Sequence, residues 1–394
     1  MATVNSGILY KTIRFRVKDR TRSLRSLRAF SFSCNQVWNH CNAAQMHALK
    51  HNQKWPTYGD LHASTRGSSK LIQLPSQIVQ AVCKEYVAKR NASGKSHLRW
   101  RVSVGTRRSL GWVPFTNQDV RIKRRGAIAL RGEVFSVWHH RLIPDLTRVK
   151  SGCFAEDARG RWYVSMIVEV DRPDRTNRSA VYGADPGHST ALSGAVITPA
   201  RNGAGATVIS VPLDNGSFYR EMETKIAEAQ RAGRKRQART LNAKVKNRRL
   251  DSDHKYTRAI VDSVGAIFIG DLSCQWQISS NKGKSTHDNS WAQKRNLFRY
   301  KGEHAGVLYA DVREAFSTQT CSHCLAVSGP KGREGLAVRQ WVCPDCGSDH
   351  DRDLNAAVNI ARLGCETLGL KWPGSPLRLH EAEFLGSGLR SSAH

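Results

Sequence analysis

The sequence lacks any long hydrophobic run. No stretch of the 394-residue chain approaches the roughly 20 apolar residues that a membrane-spanning helix needs. Residues 1–7 contain neither a basic segment nor an apolar one, so we expect no signal peptide. We therefore expect a protein without a membrane partner.

Acidic residues are scarce. The chain contains 32 Asp and Glu against 62 Lys and Arg, which gives a formal net charge of +30. The excess positive charges repel one another unless a polyanion neutralises them. Nucleic acid is the usual partner, because its phosphates release their counterions when they bind Lys and Arg. The alternative explanation of this composition is a ribosomal or other structural RNA-binding protein.

The cysteines do not form a disulfide framework. Six of the ten are scattered, which in a chain of this length is typical of a reducing compartment. The other four form two Cys-x2-Cys pairs, Cys321/Cys324 and Cys343/Cys346, with eighteen residues between the pairs. This spacing is typical of a four-cysteine zinc ribbon. Four thiolates leave no open coordination position, so the sequence predicts one structural Zn²⁺.

Periodicity predicts mixed structure in the first 172 residues. An alternating segment at 8–17 indicates a strand, and helical patterns follow at about 20–50 and 75–91. Short apolar segments between 96 and 172 indicate a small barrel or sandwich. The early part of the first helix carries basic side chains that could contact nucleic acid or simply form a solvated surface, namely Arg20, Arg22, Arg25 and Arg28.

Aromatic and basic residues interleave in this β-rich region, which includes a predicted strand at 99–104. Aromatic and guanidinium planes can stack on unpaired bases, and their basic neighbours can hold phosphates. A barrel core with a basic surface explains the pattern equally well. The residues concerned are Trp100, Arg101, Arg107, Arg108, Trp112 and Phe115.

A polar linker at 173–179 separates this region from a second pattern. The order of predicted elements, βββαβαβα, is that of an RNase H-like fold with a metal ribbon before the last helix. We expect a polar loop at about 276–290 and a poorly ordered tail from 365 onward. The predicted elements are strands at 181–184, 191–197 and 207–213, a helical segment at 217–264 with a basic run at 231–249, a strand at 266–269, a helix at 291–305, a strand at 307–312 and a helix at 353–363.

Two carboxylates stand at element ends. Asp185-Pro-Gly follows the strand at 181–184, where a nuclease of this fold would hold a divalent metal, although such a sequence is also a common β-turn. Asp353 opens the last helix, where the helix dipole favours a carboxylate and a plain N-cap would explain it. Gly364 suits the end of that helix.

In combination these features resemble a known family. A strand followed by Asp-Pro-Gly, a four-cysteine ribbon and the segment Asp-Arg-Asp-Leu-Asn-Ala-Ala-Val-Asn-Ile at 351–360 is similar to TnpB proteins and related miniature type V CRISPR effectors. The similarity extends over roughly 7–364 and is densest at 180–364. Leu-Pro-Ser-Gln at 74–77 and Ser-Leu-Gly-Trp-Val-Pro-Phe at 109–115 also match.

The resemblance implies an α+β multidomain architecture: an N-terminal β-barrel (wedge) domain with a helical recognition insertion, then an RNase H-like (RuvC) domain with an inserted zinc ribbon. It implies domain bounds of 1–19 and 96–172 for the wedge barrel, 20–95 for the insertion, 173–179 for the linker, 180–316 and 350–364 for the RuvC domain, 317–349 for the ribbon and 365–394 for the tail.

The resemblance also implies a function. A member of this family binds a guide RNA in the prokaryotic cytoplasm and cuts double-stranded target DNA beside a short flanking motif, with no small-molecule substrate. Three carboxylates hold two Mg²⁺ ions, and the motifs match Asp185 and Asp353 to the first and third.

The second carboxylate departs from the family pattern. Gly270 stands before Asp271-Leu, where the common motif has Glu. Glu314, at the end of the next strand, could supply the carboxylate, because neighbouring strands lie about 4.8 Å apart. Asp271 is an alternative, although side chains alternate faces along a strand. A third possibility is an inactive site. We favour Glu314.

Three other functions remain open at this point. An inactive site would make the chain an RNA-guided DNA-binding repressor. A strand-joining transposase shares the RNase H-like core. A ribosomal-type RNA binder explains the charge but not three carboxylate-bearing elements in this order.

Overall fold

The computed structural model describes residues 7–123, 126–140, 142, 145–187, 190–200, 205–214, 216–271, 290–332, 334–373 and 377–379. The predicted loop at 276–290, apart from residue 290, and the predicted tail beyond residue 379 lie outside the described residues. The chain divides into two compact units, Met1–Asp171 and Arg172–His394. None of the described helices is both long enough and apolar enough to cross a membrane.

The first unit contains three helices and seven strands among its described residues. Helix α3 follows Pro75, whose restricted φ suits a helix start, and Thr57 and Asp60 form a capping box at the start of α2. The elements are β1 (Ile8–Arg16), α1 (Thr21–Lys50), α2 (Tyr58–Ser64), α3 (Ser76–Ser93), β2 (Trp112–Thr116), β3 (Val120–Ile122), β4 (Ile128–Leu130), β5 (Glu133–Phe135), β6 (Val149–Glu156) and β7 (Trp162–Asp171).

Two antiparallel sheets and the helices of this unit share one apolar core. The strand orders are β1-β7-β6-β2 and β3-β4-β5. Phe15 and Phe154 from strands pack in the same cluster as Val82 from α3. The predicted strand at 99–104 is wrong, because this segment pairs with side chains of α1 instead of with another strand. Asn39 accepts a hydrogen bond from the Arg101 N–H at 2.8 Å and donates one to the Arg101 carbonyl at 2.9 Å.

The second unit follows the predicted element order. Its predicted helical segment at 217–264 is two helices, interrupted around Gly233. The elements are β8 (Val181–Asp185), β9 (Thr190–Pro199), β10 (Ala206–Ser210), β11 (Leu213–Asp214), α4 (Arg220–Arg231), α5 (Lys235–Ser263), β12 (Ala266–Gly270), α6 (Trp291–Glu303), β13 (Leu308–Val312), β14 (Gln340–Val342), β15 (Asp349–Asp351), α7 (Arg352–Thr367) and β16 (Leu377–Leu379).

The main sheet of this unit has the order β13-β12-β8-β9-β10-β16, with β11 paired to β9. Strands β12 and β13 run parallel to β8, whereas β9 is antiparallel to it. Strands β8, β12 and β13, from which Asp185, Gly270 and the segment before Glu314 come, are therefore neighbours. One face buries Tyr182 and Ile267 with Ile260 of α5, and the other buries Phe268 with Ala361 of α7. The carboxyl ends of β8, β12 and β13 therefore meet at one edge.

The last helix extends beyond its predicted end. Gly364 lies inside α7, where a side chain would overlap the ring of Phe268 across the helix–sheet contact. The left-handed residue after the helix is Gly369, with φ of 62°. Leu370 and Trp372 then pack against the core, and Leu377–Leu379 pairs with β10. Part of the predicted tail therefore carries structure, since residues 365–367 belong to α7 and Leu370 and Trp372 pack against the core.

Candidate active site and zinc cluster

Asp185 is the last residue of β8. Its strand lies between β9 and the parallel strand β12, so its side chain stands at the carboxyl edge of the sheet. Burial, together with the negative charges of Glu314 and Asp353, raises the pKa of Asp185 to about 8, whereas Arg352 opposes the shift. The structure therefore places three predicted carboxylates close enough for their charges to interact.

The side chain of Glu314 lies directly beside Gly270. Gly270 ends β12 and pairs with Val312, two residues before Glu314. A Cβ atom built on Gly270 would overlap Glu314 Oε2. The Glu314 carboxylate thus fills the space that a side chain at position 270 would occupy.

The environment of Glu314 disfavours its charged form. Its Oε2 atom is buried and has no hydrogen-bond partner among the described residues. Burial raises the pKa of this carboxyl, and the charge of Asp271 adds to the shift, whereas Arg295 opposes it. A buried carboxylate oxygen without a partner is unfavourable unless a cation binds it.

Asp271 differs from Glu314 in exposure. Its side chain is exposed, and its backbone N–H donates a hydrogen bond to the Val312 carbonyl at 2.9 Å. The Arg295 guanidinium donates to the neighbouring Gly270 carbonyl. Asp271 thus acts on the pKa of Glu314 from a more open position.

Asp353 lies in the first turn of α7 without capping it. The cap is Asp351, which accepts a hydrogen bond from the Leu354 N–H at 2.8 Å. The carboxylate of Asp353 instead accepts bonds from Arg339 Nη1 at 3.1 and 3.2 Å. The plain N-cap interpretation of Asp353 is therefore wrong. Sequence reasoning missed Arg339, because nothing distinguishes it from the many other basic residues.

The four predicted cysteines converge on one point. All their sulfur atoms lie within 4.8 Å of one another, and the Cys321–Cys346 and Cys324–Cys343 Sγ distances are both 3.7 Å. Sulfurs bound about 2.3 Å from a tetrahedral Zn²⁺ would be separated by about 3.8 Å. Thiolate donors at this spacing fit zinc and leave no place for a substrate ligand.

His350 lies against this cluster, which the cysteine spacing alone did not predict. Its Nε2 atom is 3.0 Å from Cys321 Sγ, and both side chains are buried. Burial lowers the pKa of His350. Its neutral ring can donate a hydrogen bond to a metal-bound thiolate, as outer-shell groups commonly do.

Two asparagines join α7 to the segment at the start of the cysteine cluster. The Asn355 amide donates to the Thr320 carbonyl at 2.8 Å and accepts from the Ser322 N–H at 2.9 Å. The Asn359 amide donates to the carbonyls of Thr320 and Ser317 at 2.7 and 2.9 Å. Both side chains are buried. Two amides four residues apart on an otherwise apolar helix face were the sequence signal for this link.

The carboxylates are spread more widely than the cysteines. Within the described part of the chain, the four cysteines form the one group of three or more His, Cys, Asp or Glu side chains whose ligand atoms all lie within 4.8 Å. Ligands of two ions about 3.5–4 Å apart extend over a larger space than those of one ion. Oxygen donors are also the ligands that Mg²⁺ prefers.

Comparison with known proteins gives concordant results. Residues 291–360 match the family model described as Cas12f1-like, TNB domain. A Streptomyces pristinaespiralis protein named "Putative RNA-guided DNA endonuclease" is 26% identical over 330 residues, which cover 79% of this chain and 75% of that protein. TnpB-like protein L79 of Acanthamoeba polyphaga mimivirus is 30% identical over 137 residues, covering 32% of this chain and 25% of that protein.

A solved structure shares the fold. The protein in the structure titled "Cryo-EM structure of the Cas12f1-sgRNA-target DNA complex" aligns with a TM-score of 0.57 and 12% identity, covering 90% of this chain and 99% of that one. This structural alignment covers both units. The family model covers α6, the cysteine cluster and the first part of α7. The resemblance to TnpB proteins and the related miniature type V CRISPR effectors, which the motifs indicated, is thus confirmed.

Proposed function

We propose that this protein is an RNA-guided DNA endonuclease that cuts double-stranded DNA beside a short flanking motif. The observation that carries the proposal is the Glu314 carboxylate in the space left by Gly270, close enough for its charge to raise the pKa of Asp185. This arrangement supports a complete carboxylate set, although the usual position holds glycine. The names of the relatives support the same reaction class.

Asp185, Glu314 and Asp353 would hold two Mg²⁺ ions. The crowded carboxyls, with the pKa of Asp185 raised to about 8 and an unpartnered Glu314 oxygen, fit a site that a cation completes. When bound, the two ions supply a hydroxide nucleophile and stabilise the leaving 3′ oxygen. The chain's own contribution is to orient the three carboxylates from rigid strand and helix ends.

The finer architecture is part of the proposal. The order of β13, β12, β8, β9 and β10 supports an RNase H-like, RuvC-type domain at 180–316 and 350–364, with a structural zinc ribbon at 317–349. We assign 1–19 and 96–172 to a wedge barrel and 20–95 to a recognition insertion. A cytoplasmic location remains a prediction.

Guide and target would be held through their backbones. Base pairing between guide RNA and target strand would supply most of the specificity, while the protein would hold the heteroduplex and recognise only the flank. Two exposed basic stretches support this role: the start of α1, around Arg25 and Arg28, and the region around Arg234 and Arg239.

The test is plasmid cleavage by the purified protein with its co-purifying RNA and Mg²⁺. We expect wild type to cut a matched plasmid, and Asp185→Ala and Glu314→Gln to cut at least about 100-fold more slowly, because each loses part of a metal site whose contribution is several kcal/mol. Glu366→Gln, at an exposed ion pair with Arg362 in the same unit, is the control that should retain cleavage.

Two outcomes would contradict the assignment. Cleavage that survives Glu314→Gln but not Asp271→Asn would move the second carboxylate to Asp271. Guided DNA binding without cleavage by the wild-type protein would establish a repressor instead, the function that Gly270 favours.

A further inference from the structure

The structure sorts the interleaved basic and aromatic residues of 99–115 into two groups. Arg101 donates to Asn35 Oδ1 at 2.5 Å and to the Leu110 carbonyl at 2.6 Å. Arg108 forms a bidentate salt bridge with Glu156, with both N–O distances at 2.6 Å. The Glu156 side chain is 0% exposed. Phe115 is buried in the core. These residues are engaged within the protein.

Those contacts anchor the segment 98–110, which we call the anchored loop. The Trp38 indole donates to the Arg99 carbonyl at 3.2 Å, next to the two Asn39 bonds on Arg101. The Ser109 N–H donates to the Val102 carbonyl at 2.7 Å and closes the loop on itself. The loop is therefore attached to α1 along one side and is preordered without strand pairing.

The outer side of the anchored loop is apolar and basic. Trp100 is 51% exposed and Val104 is 74% exposed, with Val102 and Leu110 also exposed. Arg99 and Arg107 are exposed beside them. No acidic residue occurs between Glu85 and Asp119. Exposed apolar side chains flanked by cations in this way suit a binding surface.

We propose that the anchored loop binds an unpaired nucleic-acid strand, with the Trp100 ring stacked on a base and Arg99 and Arg107 at the flanking phosphates. Aromatic rings interleaved with cations suit unpaired strands, because every base has a stacking face and every linkage has a charge. A duplex offers the charges but keeps its base faces covered. Preordering of the loop lowers the entropy cost of binding.

This inference rests on the proposed function only in taking nucleic acid as the partner, so its test measures binding and not cleavage. The full-length protein is titrated with labelled single-stranded RNA, single-stranded DNA of the same sequence, and duplex DNA. We expect Trp100→Ala to weaken single-strand binding about tenfold without changing its salt dependence, since stacking is worth roughly 1–3 kcal/mol per base. Trp100→Phe should retain most of the affinity.

The phosphate contacts have a different signature. Arg107→Ala should lower the slope of log affinity against log salt by about 0.7 for single strands. Whichever single strand, RNA or DNA, loses more affinity in Trp100→Ala identifies the strand that the loop holds.

The matched control is Trp138→Ala, because Trp138 is 56% exposed in the same unit. The inference would be overturned by equal losses in Trp100→Ala and Trp138→Ala, by an equal loss on duplex DNA, or by a loss in Trp100→Phe as large as in Trp100→Ala. Unchanged single-strand binding in Trp100→Ala would overturn it as well.

Discussion

The cysteine cluster and the carboxylate cluster are two candidate cation sites of opposite construction within one unit. The cysteines come from two short knuckles between 321 and 346, and their sulfurs already lie within 4.8 Å of one another. The carboxylates come from segments as far apart as Asp185 and Asp353, and they are held in a crowded, partly buried setting that raises the pKa of Asp185. In the function proposed here, the cysteine cluster would be a closed, structural zinc site, whereas the carboxylates would hold exchangeable ions.

The largest expected effect comes from removing one sulfur of the cysteine cluster. Cys343→Ser should reduce the zinc content from one ion per chain to none and make 317–349 sensitive to protease, because zinc binding in such small modules contributes about 10–16 kcal/mol of apparent folding free energy. Zinc content by mass spectrometry and limited proteolysis measure this.

The matched control is Cys153→Ser, on β6 in the other unit, which should keep both the zinc and the protease resistance. A full zinc content in Cys343→Ser would show that the sulfurs do not form the zinc site.

Moving the carboxylate from position 314 to position 270 tests how the carboxylate site is assembled. Gly270→Glu alone should cut at least about tenfold more slowly, because a side chain at 270 overlaps Glu314 Oε2. A tenfold change in rate corresponds to about 1.4 kcal/mol of activation free energy. Gly270→Glu combined with Glu314→Ala should restore cleavage to within about tenfold of wild type. Plasmid cleavage rates measure both variants.

The single variant Glu314→Ala is the reference for this swap. A double variant no more active than Glu314→Ala would mean that a carboxylate at 270 cannot reach the position that Glu314 occupies.

The smallest expected effect is on stability against pH. The folded-state pKa of Asp185 is raised to about 8 from an ordinary value of 3.8. Its charged form is therefore disfavoured in the fold, and the resulting destabilisation grows as pH rises from about 4 to about 8 and is constant above that. In magnesium-free buffer, Asp185→Asn should melt a few degrees above wild type at pH 8.5 and by a smaller margin at pH 5.5.

Added Mg²⁺ provides the control, since it should stabilise wild type at pH 8.5 more than it stabilises Asp185→Asn. A melting difference that is the same at both pH values would exclude Asp185 as the titrating group.

Regular periodicity predicted most elements of both units. Helix α1 was predicted at 20–50 and lies at Thr21–Lys50, and strand β12 was predicted at 266–269 and lies at Ala266–Gly270. Prediction failed where contacts between distant residues replaced local patterns. The segment at 99–104 has strand-like alternation but bonds to Asn39, and Gly364 allows close approach to Phe268 instead of ending its helix.

The sequence by itself determined which four cysteines cluster, the excess of positive charge and the placement of Asp185 and Asp353 at element ends, because short spacing and periodicity are local properties. Only the tertiary structure decided that Glu314 fills the space beside Gly270, that Arg339 pairs with Asp353, and that Trp100 stays exposed while Arg101 is engaged. The physical reason is that such neighbours depend on strand register and on packing between distant segments, which no local pattern of residues specifies.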